Sequence, residues 1–171
     1  MQHHLYMSRL EMPIAERRAT IHVLQARLSD ALDLAAQLKQ AHWNVRGPLF
    51  AQLHRLFDEI AETVEDSIDE IAERIVSLGG IADGRIGTTA AQTSLYEYPT
   101  AARQGVDHLR ALAGSLGIHA ARVREAAEAS AAIGDAGTAD LFTGISRQTD
   151  KQLWLVEAHL DEPVTPTVGA S

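Results

Sequence analysis

Residues 48–80 read PLFAQLHRLFDEIAETVEDSIDEIAERIVSLGG. Leu53, Phe57, Ile60, Val64, Ile68, Ile71 and Ile75 recur at steps of three and four, which is one face of an α-helix. Pro48 stands where a first helical turn, with its spare N–H groups, tolerates it. Gly79-Gly80 stops the segment, as glycine commonly does past a helix end. A second stripe runs one position beyond the apolar one and so borders the core. In it His54 and Asp58 are four apart, as are Asp69 and Glu73. The eleven residues from Asp58 to Asp69 are close to three turns at roughly 3.6 residues per turn, which keeps all four side chains in phase.

Three further segments read the same way. Residues 13–44 carry Ile21, Leu24, Leu28, Ala31, Ala35, Leu38 and His42 at helical spacing. Residues 100–132 carry Val106, Leu109, Leu112, Leu116, Ala120 and Val123, interrupted by Gly105, Gly114 and Gly117. Residues 136–160 carry Leu141, Ile145, Leu155 and Val156. No segment alternates as a strand does between turn residues. The fold class is therefore all-α, with four long helices and no internal repeat. The first and third connections are short, around residues 45–47 and 133–135, and the second is long, about 79–98. Short connections make antiparallel neighbours, and one long central connection lets the middle two helices run parallel. Short–long–short is the ferritin-like pattern, and an up-and-down bundle with one long loop is the alternative. The long crossover between helices 2 and 3 is expected to carry a short extra helix. Residues 1–12 and 163–171 read as flexible tails around a bundle at 13–162.

A chain of 171 residues fits one domain, and 46% hydrophobic with 22% charged residues is a globular composition. Cysteine is absent, which excludes disulfides, thiolate metal sites and cysteine nucleophiles and suits a reducing cytoplasm. No run approaches the roughly 20 apolar residues of a membrane span. The opening MQHHLYMSRLEMP lacks the basic flank and apolar core of a signal peptide. The formal charge is −8, and only Lys39 and Lys151 are lysines, which argues against a general nucleic-acid binder and suits attraction of cations.

The acidic stripe cannot close around one ion by itself. Asp58 and Asp69 lie roughly 16 Å apart along the helix, whereas metal–ligand bonds are about 2 Å. Either these are two separate weak sites, or another chain supplies the complement. A two-fold axis near residues 63–64 would lay His54 and Asp58 of one chain against Asp69 and Glu73 of its mate, twice per dimer. His42, near the end of the first helix, can be brought to His54 by the short turn between them. Two imidazoles and three carboxylates suit Fe(II) and can also hold Zn, Mn or Co. No Glu here has a His three positions later, against the Glu-x-x-His of di-iron centres buried in one bundle.

Residues 39–58, KQAHWNVRGPLFAQLHRLFD, 69–80, DEIAERIVSLGG, and 138–157, TADLFTGISRQTDKQLWLVE, resemble the Dps family, the dodecameric mini-ferritins. The resemblance covers nearly the whole chain. It implies a ferroxidase set of His42, His54 and Asp58 from one subunit with Asp69 and Glu73 from the two-fold mate, and none of the five is substituted. It implies oxidation of Fe(II), preferably by hydrogen peroxide over oxygen, and storage of ferric mineral inside a hollow homododecamer in the bacterial cytoplasm. Trp43 is expected beside the iron site as an interceptor of radicals, with simple packing as the alternative. Lys39 shares a face with His42 and would pair with a ligand carboxylate or orient water, unless it is an ordinary surface lysine. Glu62, Glu65 and Asp66 would seed mineral, and Asp140 and Asp150 match positions that form acidic three-fold pores in relatives. His3 and His4 fall in the tail, with adventitious metal binding as the alternative, and His22, His108, His119 and His159 have no clear carboxylate partner at ligand spacing and read as structural or surface residues. A structural DNA-compacting shell is the competing function. Residues 1–20 hold no lysine and the C-terminal DEPVTPTVGAS no base, so DNA binding is doubtful and protection would be chemical.

Overall fold

The computed structural model describes residues 5–160. The helices are α1 (Ile14–Asn44), α2 (Phe50–Ser77), α3 (Ile86–Gln92), α4 (Gly105–Ile133) and α5 (Ala136–Glu157). The described residues form no strand, and their one β-bridge pairs Arg46 with Gln104 in parallel. This bridge returns the crossover to the α1–α2 turn, so α4 starts at the end where α2 starts and the two run parallel. Helices α1 and α2 form one antiparallel pair, α4 and α5 the other, and short α3 lies against α1. That is the ferritin-like four-helix bundle with a short helix in the crossover, as the connection lengths predict. No helix among the described residues is long and apolar enough to cross a membrane.

The apolar stripes meet in one core. Leu24, Leu28, Leu38, Leu53, Phe57, Ile71, Leu112, Leu116 and Phe142 are fully buried or nearly so. Each such side chain contributes about 1.5–3 kcal/mol relative to exposure. The helix expected over 100–132 begins later, at Gly105. Its start is set by a capping box: Asp107 accepts hydrogen bonds from the N–H of Gln104 (3.0 Å) and Arg103 (3.3 Å). Val106, counted in the apolar stripe, is exposed at that first turn.

The crossover is held by the polar face of α1. Gln25 exchanges two 2.9 Å hydrogen bonds with the backbone of Asp83. Asp30 accepts from Ser94 N–H at 2.7 Å, Asp33 from Thr93 Oγ1 at 2.7 Å, and Gln37 donates to Tyr96 O at 3.0 Å. A non-helical segment over a core leaves backbone groups that need partners, and these side chains supply them. Residues 5–12 run outside the helices, and Tyr6 N–H donates to Gly79 O at 2.8 Å. Gly79 has φ +88°, and a Cβ there would stand 2.6 Å from the Tyr6 carbonyl, so the first glycine of the Gly-Gly pair has no substitute. The expected C-terminal tail, 163–171, and residues 1–4 with His3 and His4 lie outside the described residues.

Candidate metal centre

Helices α1 and α2 are joined by residues 45–49, with Gly47 at φ +106°. The reversal sets the last turn of α1 against the first turns of α2. His42 and His54 then stack, with ring centroids 3.7 Å apart and planes at 20°. Phe50 stacks on His54 at 5.0 Å. The two histidines lock each other: Nδ1 of His42 lies 2.7 Å from the carbonyl oxygen of His54, and Nδ1 of His54 lies 2.8 Å from that of His42. A carbonyl oxygen only accepts, so both Nδ1 atoms carry hydrogen. A neutral imidazole held in this way has its lone pair on Nε2, the arrangement by which proteins orient imidazole ligands.

Asp58 joins them one turn along α2, its Oδ1 3.8 Å from His42 Nδ1. Lys39, one turn before His42, donates from Nζ to the same Oδ1 at 2.5 Å. This hydrogen bond holds the Asp58 carboxyl below the usual carboxylate range, against partial desolvation. The Asp58 carboxylate in turn raises Lys39, helped by Glu65 and Glu62. His42 is largely covered, with 15% of its side chain exposed, against 37% for Asp58. Lys39 is thus a partner of a candidate ligand.

Asp69 and Glu73 are not brought to this group. Both are exposed, three to four turns further along α2. Among the described residues of one chain, no three His, Asp or Glu side chains are arranged to hold a metal. One chain therefore presents a locked triad of His42, His54 and Asp58 and, about 16 Å away, an open carboxylate pair. Trp43 is 69% exposed in the single chain, and Leu49 and Phe50 are exposed near the same turn.

The other acidic candidates are dispersed. Glu62, Glu65, Asp66 and Asp140 are exposed, while Asp150 accepts from Arg124 Nη1 at 2.8 Å. His22 is exposed, and His159 Nδ1 donates to Leu155 O at 2.8 Å. His108 and His119 are buried, and burial pushes His119 down to about 4. Sequence reasoning did not find the anchor behind Glu73. The neighbouring Arg74 guanidinium forks onto Asp135 at 2.8 and 3.0 Å and donates to Thr138 Oγ1 at 2.9 Å. Asp135 also caps α5 by accepting from Thr138 N–H at 3.0 Å. The spacing Asp135-x-x-Thr138 before a helical run is a capping signal that could have revealed it.

The family model described as the ferritin-like domain matches residues 21–163. The DNA protection during starvation protein of Agrobacterium fabrum is 41% identical over 152 residues, covering 89% of this chain and 94% of that protein. DpsC from Streptomyces coelicolor superposes with a TM-score of 0.88 at 29% identity, over 94% of this chain and 95% of that one. A Mycobacterium smegmatis Dps structure does so with a TM-score of 0.87 at 29% identity, over 92% and 96%. The chain belongs to the ferritin-like family and, within it, to the Dps proteins.

Proposed function

We propose that the chain is a ferroxidase and iron store that protects DNA by removing Fe(II) and peroxide together. The observation that carries this is the reciprocal His42–His54 lock, which occupies both Nδ1 atoms and leaves both Nε2 atoms for a metal, with the Lys39-paired Asp58 carboxylate 3.8 Å from His42 Nδ1. Imidazole suits Fe(II), and carboxylates favour the higher charge of Fe(III). The set is completed by Asp69 and Glu73 of a second copy across a two-fold axis, making two identical sites per dimer. Hydrogen peroxide is the preferred oxidant, ahead of oxygen. Two Fe(II) each give one electron, and one peroxide with two protons leaves as two waters, so no hydroxyl radical is released. The ferric product is stored inside a homododecamer of such dimers in the bacterial cytoplasm. The exposed Glu62, Glu65 and Asp66 seed mineral, and Asp140 with Asp150 lines acidic pores that concentrate Fe(II). Trp43, next in sequence to His42, intercepts stray oxidising equivalents. A dodecamer multiplies the −8 of each chain, so protection of DNA rests on chemistry rather than on compaction.

The test is stopped-flow absorbance of anaerobic, Fe(II)-loaded protein mixed with peroxide or with oxygen. Fast oxidation with peroxide and slow oxidation with oxygen are expected. Rates no better than protein-free buffer would overturn the reading.

A further inference from the structure

Behind the candidate centre lies a phenol–imidazole pair that the ligand set does not use. Tyr98, in the crossover, places its hydroxyl 2.5 Å from Nδ1 of His108 on α4, and the rings lie nearly parallel with centroids 6.1 Å apart. His108 is 1% exposed and sits 6.5 Å from Phe57, the neighbour of Asp58. Its other nitrogen, Nε2, is buried and approaches the backbone of Asn44, two residues after His42, without a well-formed hydrogen bond. In the tautomer with hydrogen on Nε2, the nitrogen that faces the Asn44 backbone, Nδ1 is the acceptor of the Tyr98 O–H. Burial keeps both partners neutral: it raises the phenol and lowers the imidazole. Tyr98 also borders a surface cleft of about 420 Å³ with Gln37, Tyr96 and Arg110, so the pair spans from the core behind the centre to the outside of the bundle.

We propose that Tyr98 and His108 form a one-electron relay that drains stray oxidising equivalents from the iron site, a role that rests on the ferroxidase reading. A neutral phenol hydrogen-bonded to a neutral base can lose its electron and its proton together, without passing through the phenol radical cation. Hydroxyl radical, the one-electron product of Fe(II) and peroxide, takes an electron from Tyr98 and becomes hydroxide. The phenolic proton moves to His108 Nδ1, leaving a neutral tyrosyl radical beside an imidazolium. A further Fe(II) returns the electron and becomes Fe(III), and the proton moves back to the Tyr98 oxygen. His108 acts through Tyr98 and is a positioning residue and proton acceptor, not a ligand.

The experiment is freeze-quenched electron paramagnetic resonance of Fe(II)-loaded protein mixed with peroxide, with Fe(II) consumption measured in the same samples. The expected result is a tyrosyl signal in the wild type that is lost in Tyr98→Phe while Fe(II) consumption stays unchanged. In His108→Gln, which keeps a hydrogen-bonding group but removes the base, the signal weakens and its g-values shift. A signal undiminished in Tyr98→Phe, or one in His108→Gln matching the wild type, overturns the relay. A parallel arm oxidises the metal-free protein with a photogenerated one-electron oxidant. If the wild type fails to speed Fe(II) oxidation, the ferroxidase reading has failed and this arm decides the pair alone. A tyrosyl signal lost in Tyr98→Phe then supports it, and equal signals in both proteins overturn it.

Discussion

The two ends of the acidic stripe on α2 are built differently. At the first end His54 and Asp58 are fixed before any ion arrives, by the His42–His54 lock and by Lys39. At the second end Asp69 and Glu73 are exposed, and what is rigid there is the helix beneath them, pinned to α5 by Arg74 and Asp135. The first end is preorganised with the softer nitrogen donors, and the second holds only carboxylates. The second end lacks the nitrogen donors of the first. In the proposed two-fold arrangement a stripe of this kind is one half of a self-complementary pair, with each end laid on its opposite.

The largest expected effects come from breaking either end. His54→Ala removes a proposed ligand together with its stacking on His42 and its hydrogen bond to the His42 carbonyl, and Glu73→Ala removes a carboxylate while leaving the locked triad intact. Losing even a buried hydrogen-bonded partner of a metal ligand costs about 10–100-fold. Each variant is therefore expected to lose at least that much peroxide-driven oxidation in stopped flow, with assembly checked by size-exclusion chromatography. A Glu73→Ala protein with wild-type rates would show that the open end takes no part.

An intermediate effect is expected from loosening the support of the second end. Asp135→Ala removes the cap of α5 and both bonds to Arg74, which is expected to cost about 2 kcal/mol in chemical unfolding. Desolvation pushes the Asp135 carboxyl up, but Thr138 and Arg74 outweigh it and hold the group below the usual carboxylate range. Its stabilisation is therefore fully present above the unfolded carboxylate value near about 4 and is lost as pH falls through the lower folded value. Asp135→Ala should lose that part of the acid dependence of stability, and unfolding curves measured at descending pH would check it.

The smallest effect is expected at Lys39. Its ion pair with Asp58 is partly exposed, and such pairs are worth little. Lys39→Met should change the rate of Fe(II) oxidation by less than about fivefold. A loss as large as that of His54→Ala would make Lys39 part of the chemistry rather than a partner of Asp58.

Much of this was legible in the amino-acid sequence, for identifiable reasons. Apolar residues at helical spacing announce the four long helices, because burial of one face decides where a helix lies. The start of α4 is not legible in the apolar pattern, because Ala101 and Ala102 extend it while the polar Gln104–Asp107 box sets the boundary. The buried Asp30 and Gln37 escaped notice on α1 because their partners are crossover backbone groups about sixty positions away. Spacing alone puts His54 with Asp58 and brings His42 near, yet the nitrogen that carries each proton depends on the geometry of the turn. His108 has no carboxylate at ligand spacing in the sequence, and its partner is the phenol of Tyr98, ten positions away.

The central claim is that each site is shared between two chains, and subunit mixing tests it most directly. Asp58→Ala and Glu73→Ala proteins, each inactive alone, are dissociated, mixed in equal amounts and reassembled. In a mixed dimer one site regains all five ligands from the intact halves and the other loses two. About a quarter of all sites should then be whole, and peroxide-driven oxidation should recover to about that fraction of the wild-type rate. No recovery in a correctly reassembled mixture would contradict a shared site.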